Sequence, residues 1–283
     1  MLEKEMNEQK SVDVVIPSYE RLDYLMLAIK SAKSQTYKIE KIIVVDDNSS
    51  FTSDEFWSSL KTNDIDSNNI IFYKKENNRG ACHSRNLGAN LSVSEFIAFL
   101  DDDDQWESDH IISLINCFVT ENIALAYSGK KITNYKLGKV RNSLNIIPCD
   151  EQYNALIRCN YPGSTSSILV RKKHFVMADG FDESLPAIQD YDFYLRLVKI
   201  GKLSTSENFS LIYRDDTGVK ITNQLDKART AFSKIINKTE PCFSNVLART
   251  IYVQNMKKAI LNRNMNYIFL FTKDYLWALL KSK

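Results

Sequence analysis

The sequence predicts an α/β fold with a mostly parallel central sheet flanked by helices. Four short apolar runs occur in the first hundred residues, and their last residues fall 29, 28 and 27 positions apart. This is the spacing of a repeated strand–helix unit. The runs are almost continuously apolar, as is typical of parallel strands buried on both faces. They are Val12–Ile16, Ile42–Val45, Ile70–Tyr73 and Phe96–Leu100.

Helical periodicity separates these strands. Between the first two, apolar residues recur at three- and four-residue spacing from Leu22 to Ala32, and a second short helix is predicted over Gly80–Leu91. Right-handed crossovers bring the carboxyl ends of such strands to one edge of the sheet, which is where ligands bind in open α/β folds. We therefore expect Pro17, Asp46-Asp47 and Asp101–Asp104 to gather at this edge.

The later elements are less regular. The pattern predicts a helix over Ile111–Val119, strands over Ala124–Tyr127 and Ser167–Val170, and a helix that starts near Asp190 and ends near Gly201. Residues 130–150 are polar and are predicted to form loops. Beyond about Ile221 the pattern is helical and basic, without clear strands.

Charge is distributed unevenly along the chain. The composition is that of a globular protein, with 44% hydrophobic and 25% charged residues among 283. From Asp226 to the end, eleven Lys and Arg stand against three Asp and Glu. Such a basic region indicates contact with an anionic surface. Leu261–Leu280 interleaves aromatic and basic residues, so it fits either a helix on a membrane surface or a helix docked on the catalytic domain. A nucleic-acid role is disfavoured because no binding motif accompanies the basic residues.

The expected location is cytoplasmic, with peripheral contact on the inner face of the cell membrane as an option. The five cysteines show no zinc-binding spacing, which predicts free thiols in a reducing compartment. Residues 1–10 are charged and lack the apolar core of a secretory signal. No apolar stretch approaches the roughly 20 residues that cross a bilayer.

Four consecutive aspartates, Asp101–Asp104, directly follow the apolar run that ends at Leu100. Their charges repel one another unless a positive group binds nearby. Oxygen ligands of this kind suit Mg²⁺ or Mn²⁺, which in turn hold phosphate oxygens. Taken alone, the motif equally fits a solvated acidic turn or a helix N-terminus.

The ends of the first two strands carry further candidates. Pro17 ends the first strand, which leaves Tyr19 either to stack on a base or to close the core. Asp46 and Asp47 end the second strand, where an aspartate accepts from a uracil N–H or caps the next helix. A dinucleotide-binding fold requires a glycine-rich first turn, and the turn from Pro17 to Glu20 contains no glycine. A response regulator would use the aspartate pair but leaves the later motifs unexplained.

Taken together, the motifs resemble those of the family 2 glycosyltransferases, which have the GT-A fold. The resemblance covers roughly residues 11–205, in order and with family-like spacing. Any one of these motifs is weakly specific, whereas the whole set in register is strongly so. The motifs are Val15–Tyr19, Val44–Ser49, Asn78–Gly80 with Arg85–Gly88, Phe99–Trp106, Gly180–Glu183 and Gln189–Leu197.

The resemblance implies a role for each matching residue. It implies a nucleotide-sugar site formed by Pro17, Tyr19, Glu20, Asp46, Asp47, Arg85, Asp101 and Asp102. Within it, Tyr19 is the uracil-stacking position and Asp47, in preference to Asp46, the uracil-binding acid. Asp101 and Asp103 correspond to the DxD motif that holds Mn²⁺ or Mg²⁺. Asp190 corresponds to the catalytic base of inverting members, although this chain has Gln189-Asp190 where the usual pair is Glu-Asp.

The same resemblance implies an organisation and an activity. We expect an N-terminal tail (1–10), a GT-A catalytic domain (11–220) and a helical basic C-terminal region (221–283). Residues 11–105 would form the nucleotide-binding half of the domain and 106–220 the acceptor-binding half. The expected activity is metal-dependent, inverting transfer of a hexosyl unit from a nucleotide sugar, UDP-linked by preference, to a hydroxyl of a glycan acceptor. Resemblance to bacterial O-antigen and capsule enzymes suggests an oligosaccharide carried on polyprenyl diphosphate.

Two alternatives stay open at this point. A nucleotidyltransferase that makes a sugar nucleotide would need a glycine-rich, arginine-containing loop after the first strand, and none is present. A non-catalytic nucleotide-sugar-binding protein is compatible with Gln189 replacing the usual glutamate.

Overall fold

The computed structural model describes residues 10–148, 150–216, 225–261 and 264–280. Its strands are β1 (Val12–Ser18), β2 (Lys41–Asp46), β3 (Ile70–Lys74), β4 (Phe96–Phe99), β5 (Gln105–Trp106), β6 (Ile123–Tyr127), β7 (Lys130–Asn134), β8 (Lys139–Ser143), β9 (Ile168–Arg171), β10 (Lys202–Thr205) and β11 (Leu211–Arg214). Its α-helices are α1 (Leu22–Lys33), α2 (Ser53–Thr62), α3 (Gly80–Leu91), α4 (His110–Ile115), α5 (Gln152–Arg158), α6 (Lys172–Met177), α7 (Gln189–Leu197), α8 (Leu225–Lys238), α9 (Pro241–Leu261) and α10 (Met265–Leu280).

The central sheet has seven strands in the order β10-β6-β9-β4-β1-β2-β3. The first four strands of the chain are mutually parallel wherever they pair. Strand β9 runs antiparallel to both β4 and β6, and β10 runs parallel to β6. The predicted fold class, a mostly parallel sheet flanked by helices, is therefore confirmed. Ser18 lies beside Asp46, and Asp46 beside Lys74, so three strands end at the same edge.

Alternate residues of the central strands enter two separate apolar cores. Val14, Val44 and Ala98 face one core, which includes residues of α1, α2 and α4. Val15, Val45 and Phe99 face the other, which includes residues of α3, α7 and the C-terminal helices. Because successive side chains of a strand point to opposite faces, strands buried on both faces read as continuous apolar runs.

The prediction of loops over residues 130–150 is wrong in part. Strands β7 and β8 form an antiparallel hairpin, and β7 also pairs with β11, which pairs with β5 in a second, four-stranded sheet. The first four residues of β8 are exposed, and only Ile132 of β7 is buried. An exposed edge hairpin needs no apolar alternation, so the sequence carried no strand signal there.

One predicted helix is shorter than expected. Helix α4 ends at Ile115 rather than continuing to Val119. The N–H groups of Cys117 and Phe118 donate to carbonyls three residues earlier, at Leu114 and Ile115, which tightens the chain into 3-10 turns.

Close packing sets the position of α3. A Cβ atom placed on Gly88 would lie 2.3 Å from Cγ1 of Val15, so only glycine lets this helix lie so close to β1. The contact directs the N-terminus of α3, at Gly80, toward the edge where β1 and β2 end. The helix start is thereby brought to the polar end of the sheet.

The C-terminal helices pack onto the domain. Leu247, Ile251 and Phe271 are buried in the same core as Val15. Across the described residues, no helix is both long enough and apolar enough to cross a membrane. Cys82, Cys117 and Cys159 are free thiols. The division of the chain at residues 105 and 220 stays a prediction, and the second boundary, like residues 1–9 of the predicted tail, lies outside the described residues.

Candidate active site

A cavity of about 500 Å³ opens at the carboxyl edge of the central sheet. We call it the edge cavity. Of the predicted site residues, the cavity is lined by Pro17, Tyr19, Asp47, Arg85, Asp101, Asp102 and Asp103. The other lining residues are Ser18, Arg21, Asn78, Gly80, Ala81, Ser84, Tyr213, Arg214 and Lys227. Glu20, Asp46 and Asp190 do not line it.

The end of β1 places Tyr19 at the mouth of the cavity. Its side chain is 48% exposed, and its backbone N–H donates to Oδ2 of Asp102 at 3.2 Å. Glu20 follows in a left-handed backbone conformation (φ 58°). Its carboxylate accepts hydrogen bonds from the N–H (2.8 Å) and hydroxyl (2.6 Å) of Ser50, so Glu20 links the loops after β1 and β2 rather than facing the cavity.

The two aspartates at the end of β2 have different surroundings. Asp46 is fully buried, accepts hydrogen bonds from the N–H and hydroxyl of Ser49, and lies 3.3 Å from Nζ of Lys74. These contacts hold the loop that follows β2. Asp47 lines the cavity and contacts the start of α3.

The Asp47 carboxylate is held by three donors. It accepts the backbone N–H of Arg79 at 2.9 Å and that of Gly80 at 2.7 Å, and it forms a buried ion pair with Lys75. Gly80 has a φ of +85°, a conformation that favours glycine. The carboxylate is thereby fixed in the cavity wall.

Asp101 lies between a buried arginine and a hydroxyl. Its carboxylate pairs with Nη2 of Arg85 at 2.5 Å and accepts from Oγ1 of Thr165 at 3.3 Å. The backbone N–H of Asp101 donates to Oγ of Ser166 at 3.0 Å. Burial opposes the charge of Arg85, but nearby negative groups, chiefly Asp101, raise its pKa above the ordinary value.

Asp102 and Asp103 share one cation. Nη1 of Arg21 lies 3.2 Å from Oδ1 of Asp102 and 2.8 Å from Oδ2 of Asp103. Burial, joined by repulsion from Asp103 and Asp101, raises the pKa of Asp102 to about 7, against the opposing effects of Arg21 and the Tyr19 N–H. The cavity wall therefore stabilises positive charge beside these carboxylates.

The fourth aspartate of the run is set apart. Asp104 is buried, does not line the cavity, and accepts the backbone N–H of Arg214 at 3.1 Å. Burial, with repulsion from Asp101 and Asp103, raises its pKa well above the ordinary value. Asp104 thus anchors β11, the strand that brings Tyr213 and Arg214 to the cavity.

The donor set of the edge cavity fits a hard divalent cation. Within the described residues, no three His, Cys, Asp or Glu side chains are arranged as a complete metal-binding group. Mg²⁺ bound together with phosphates needs only one or two carboxylates, because phosphate oxygens and water complete the shell. Asp101 and Asp103 supply such carboxylates, and the Arg21 guanidinium beside Asp102 and Asp103 shows that a cation is tolerated there.

Asp190 occupies a more isolated position at the start of α7. Its carboxylate accepts a hydrogen bond from Nδ2 of Asn160 at 3.1 Å. The preceding Ile188 has a left-handed backbone (φ 53°, ψ 33°), which is strained for a β-branched residue. Burial raises the pKa of Asp190, opposed by the Tyr191 N–H, Asn160 and Arg85. Because Asp190 and Asp101 both act on the charge of Arg85, that arginine connects Asp190 electrostatically to the edge cavity.

Several cavity residues were missed by sequence reasoning. Arg21 was predictable, because four adjacent carboxylates need a nearby cation and it follows the first strand closely. Tyr213 and Arg214 end a strand that carried no clear pattern. Lys227 lies on α8, far along the chain, and no sequence signal tied that helix to this edge.

Comparison with known proteins agrees with this geometry. The sequence profile described as Glycosyl transferase family 2 matches residues 13–176. An Escherichia coli protein named UDP-Glc:alpha-D-GlcNAc-diphosphoundecaprenol beta-1,3-glucosyltransferase WfaP is 33% identical over 54% of this chain and 59% of its own length. The Erwinia amylovora amylovoran biosynthesis glycosyltransferase AmsB is 28% identical over 68% of this chain and 65% of its own length. The chain thus spans less than two thirds of either relative.

A solved structure shares the fold. The S. aureus protein TarS, residues 1–349 in complex with UDP-GlcNAc, superposes with a TM-score of 0.65. It is 17% identical, and the match covers 95% of this chain and 79% of that one. With the family profile spanning more than half of its residues, the chain belongs to glycosyl transferase family 2, and it has the GT-A fold.

Proposed function

We propose that the chain is a metal-dependent, inverting glycosyltransferase. It moves a hexosyl unit from a UDP-linked sugar to a hydroxyl of a glycan acceptor. The observation that carries this proposal is the edge cavity itself, in which an exposed tyrosine, a fixed aspartate and the Asp101–Asp103 carboxylates surround one space. Arg85 connects that space to Asp190.

The nucleoside end of the donor lies at Tyr19 and Asp47. The exposed ring of Tyr19 offers a face on which a uracil stacks. Both oxygens of Asp47 already accept hydrogen bonds, yet an ionised carboxylate has about four acceptor sites, so it can also accept the uracil N–H. Its contacts with Arg79 and Gly80 hold it ready for that role.

The diphosphate lies among the cavity's charges. Asp101 and Asp103 would hold Mn²⁺ or Mg²⁺, on which enzymes of this family commonly depend. When bound, the ion neutralises charge that develops on the departing diphosphate. Lys227, an exposed lysine in the cavity wall, lies where it can bind a phosphate oxygen, and Arg21 can exchange its carboxylate partners for phosphate.

Asp190 acts as the general base. It takes the proton from the acceptor hydroxyl as that oxygen attacks the anomeric carbon from the face opposite the diphosphate, which inverts the configuration. The raised pKa makes its ionised form a stronger base, and Asn160 stabilises that form through a hydrogen bond.

Gln189 is compatible with this role. Its side-chain amide donates to the backbone carbonyl of Leu185 at 3.0 Å. An ionised glutamate at this position has no proton to donate and would place a second negative charge beside Asp190. The glutamine therefore holds the start of α7 without adding charge.

The acceptor class is proposed from the relatives. The E. coli relative is named for an acceptor on diphosphoundecaprenol, and the Erwinia relative for amylovoran biosynthesis. We extend this to a polyprenyl-diphosphate-linked oligosaccharide in O-antigen or capsule synthesis, with the enzyme working at the inner face of the cell membrane.

The test is a donor panel assayed for release of UDP. We expect release with one UDP-hexose, dependent on Mn²⁺ or Mg²⁺ and stimulated by an acceptor on polyprenyl diphosphate, with inverted configuration in the product. A nucleotidyltransferase would instead consume UDP-sugar when pyrophosphate is added. A non-catalytic protein would bind UDP-sugar without release. Either result would overturn the proposal.

A further inference from the structure

A tight turn over Thr165–Ser167 lies directly beside Asp101. The turn begins at Ser164, whose hydroxyl accepts the N–H of Ser166 at 3.2 Å, and all three of its residues are buried. The hydroxyl of Ser166 accepts the backbone N–H of Asp101 at 3.0 Å, and the hydroxyl of Thr165 donates to the Asp101 carboxylate at 3.3 Å. This turn, which we call the aspartate turn, therefore contacts both the backbone and the carboxylate of Asp101.

The aspartate turn continues the pairing of two strands of the central sheet. Strand β4 pairs with β9 in antiparallel register, with Ala98 beside Leu169. Continued past the last pair, this register places Asp101 opposite Ser166. The N–H of Leu100 still donates to a carbonyl of β1, whereas the N–H of Asp101 donates to the Ser166 hydroxyl. That hydroxyl thus takes the place of a strand carbonyl and extends the hydrogen bonding of the sheet to Asp101.

Trp106 binds the aspartate turn through its indole. Its Nε1–H donates to the carbonyl of Ser166 at 2.7 Å, and its ring stacks on His110 with the ring centroids 4.6 Å apart. Its backbone N–H donates to the hydroxyl of Ser31 on α1 at 3.2 Å. Because Trp106 is also buried, packing and hydrogen bonds together fix the indole. The fixed indole in turn fixes the position of Ser166.

Ser166 and Trp106 lie behind the wall of the edge cavity. Both are buried and neither lines the cavity, whereas Asp101 does. Their effect on a bound donor or metal ion is therefore exerted through Asp101. A carboxylate binds a metal ion well only when the hydrogen bonds and packing around it hold it in place.

We propose that Ser166 and Trp106 are positioning residues for the metal-binding carboxylate of Asp101. Ser166 fixes the backbone of Asp101, and Trp106 fixes Ser166. This positioning role rests on the proposed function, in which Asp101 and Asp103 hold Mn²⁺ or Mg²⁺. It extends that function to two buried residues that touch neither the donor nor the ion.

The experiment is a titration of the full chain with Mn²⁺ in the presence of UDP, followed by the electron paramagnetic resonance signal of the free ion. Ser166→Ala removes the hydroxyl that accepts from Asp101. Trp106→Phe removes the indole N–H but keeps an aromatic ring against His110. Each variant should raise the Kd for Mn²⁺ about three- to tenfold, which is the effect of one lost hydrogen bond. The Kd for UDP without Mn²⁺ should not change, because neither residue lines the edge cavity.

The matched control is Ser167→Ala, the same substitution in the same turn. The Ser167 hydroxyl lies within hydrogen-bond distance of the carbonyls of Pro162 and Ser164, and none of its hydrogen bonds in the described structure reaches Asp101. Thermal unfolding should show that Ser166→Ala and Ser167→Ala lower stability alike. Only Ser166→Ala should weaken the binding of Mn²⁺.

Two results would overturn the positioning role. One is unchanged Mn²⁺ affinity in Ser166→Ala or in Trp106→Phe, and the other is an equal loss of affinity in Ser167→Ala. Failure of the unmodified chain to bind Mn²⁺ with UDP is a separate result, because it would overturn the metal dependence of the proposed function and the positioning role with it.

Discussion

Three carboxylates of the edge cavity and the carboxylate of Asp190 have different partners. Asp47, Asp101 and Asp103 each pair with a cationic side chain, namely Lys75, Arg85 and Arg21. Asp190 contacts the neutral amide of Asn160, and burial raises its pKa. The first arrangement places a cation beside each carboxylate in the absence of a donor. The second yields a carboxylate with higher affinity for a proton.

The two arrangements suit the two roles proposed for these residues, namely binding of the metal and donor, and proton transfer. A carboxylate that holds a metal ion must be ionised, and exchange of an arginine for a metal ion leaves a cation beside it. A general base must accept a proton, which a strongly ion-paired aspartate does poorly. The contrast predicts that variants in the two regions fail in different ways.

The largest expected effect is that of Asp190→Asn. Asparagine keeps the size of the side chain but removes the base, and a positioned base contributes about 10²–10⁴-fold to rate. We expect kcat to fall within that range while the Kd for UDP stays within about twofold, measured by UDP release and by calorimetry. Near-normal turnover would remove Asp190 from the role of base.

Asp103→Asn should weaken binding of the divalent ion in the edge cavity. Loss of this carboxylate weakens the hold on a divalent ion that stabilises the leaving group, and loss of one such stabilising contact costs about 10²–10³-fold in rate. The Mn²⁺ concentration for half-maximal activity should rise as well, which Asp190→Asn should leave unchanged. Asp66→Asn is the control, because Asp66 is an exposed aspartate that pairs with Lys33 away from the cavity. An unchanged Mn²⁺ dependence would show that Asp103 does not hold the ion.

The fold was predictable to the extent that burial shaped the sequence. Strands β1, β2 and β4 are buried, β3 is partly so, and all four are evenly spaced, so their apolar runs and intervals identified them. The reversed direction of β9 was not predictable, because a buried antiparallel strand has the same apolar pattern as a parallel one. The exposed strand β8 carried no pattern at all.

The candidate site, like the fold, was predictable from the sequence only in part. Tyr19, Asp47 and Asp101 lie just beyond strand ends, and topology alone brings such residues to one cavity. Whether Asp46 or Asp47 faces the cavity depends on the direction of each carboxylate. That of Asp46 contacts the loop after β2, and that of Asp47 contacts the start of α3. They are adjacent at the end of the same strand, so the pattern could not separate them. Lys227 reaches the cavity through the packing of α8, a tertiary contact with no local signature.

Lys227→Ala tests whether the C-terminal region contributes to binding of the donor in the edge cavity. A charge-assisted hydrogen bond contributes about 1.5–3 kcal/mol, which corresponds to roughly 10–100-fold in affinity. We expect the KM for the donor to rise toward that range with a smaller change in kcat, measured by steady-state kinetics. Lys234→Ala is the control on the same helix, since Lys234 contacts the carbonyl of Ser184 and does not line the cavity. A similar rise in both variants would indicate a general effect of charge.

The smallest expected effect is that of Asn160→Ala, which removes the hydrogen bond to Asp190. Asn160 donates to Asp190 and thereby stabilises its ionised form, so Asn160→Ala should raise the pKa of Asp190 further. A raised pKa means that the base becomes protonated at higher pH. The acid limb of the kcat profile should therefore move to higher pH, while activity on the alkaline plateau changes only a few-fold, since one neutral hydrogen bond contributes about 1 kcal/mol. Asn160→Asp would add a negative charge and should move the limb in the same direction. A limb that stays in place in both variants, with the plateau lowered, would mean that Asn160 positions the acceptor and that another group sets the proton affinity of the base.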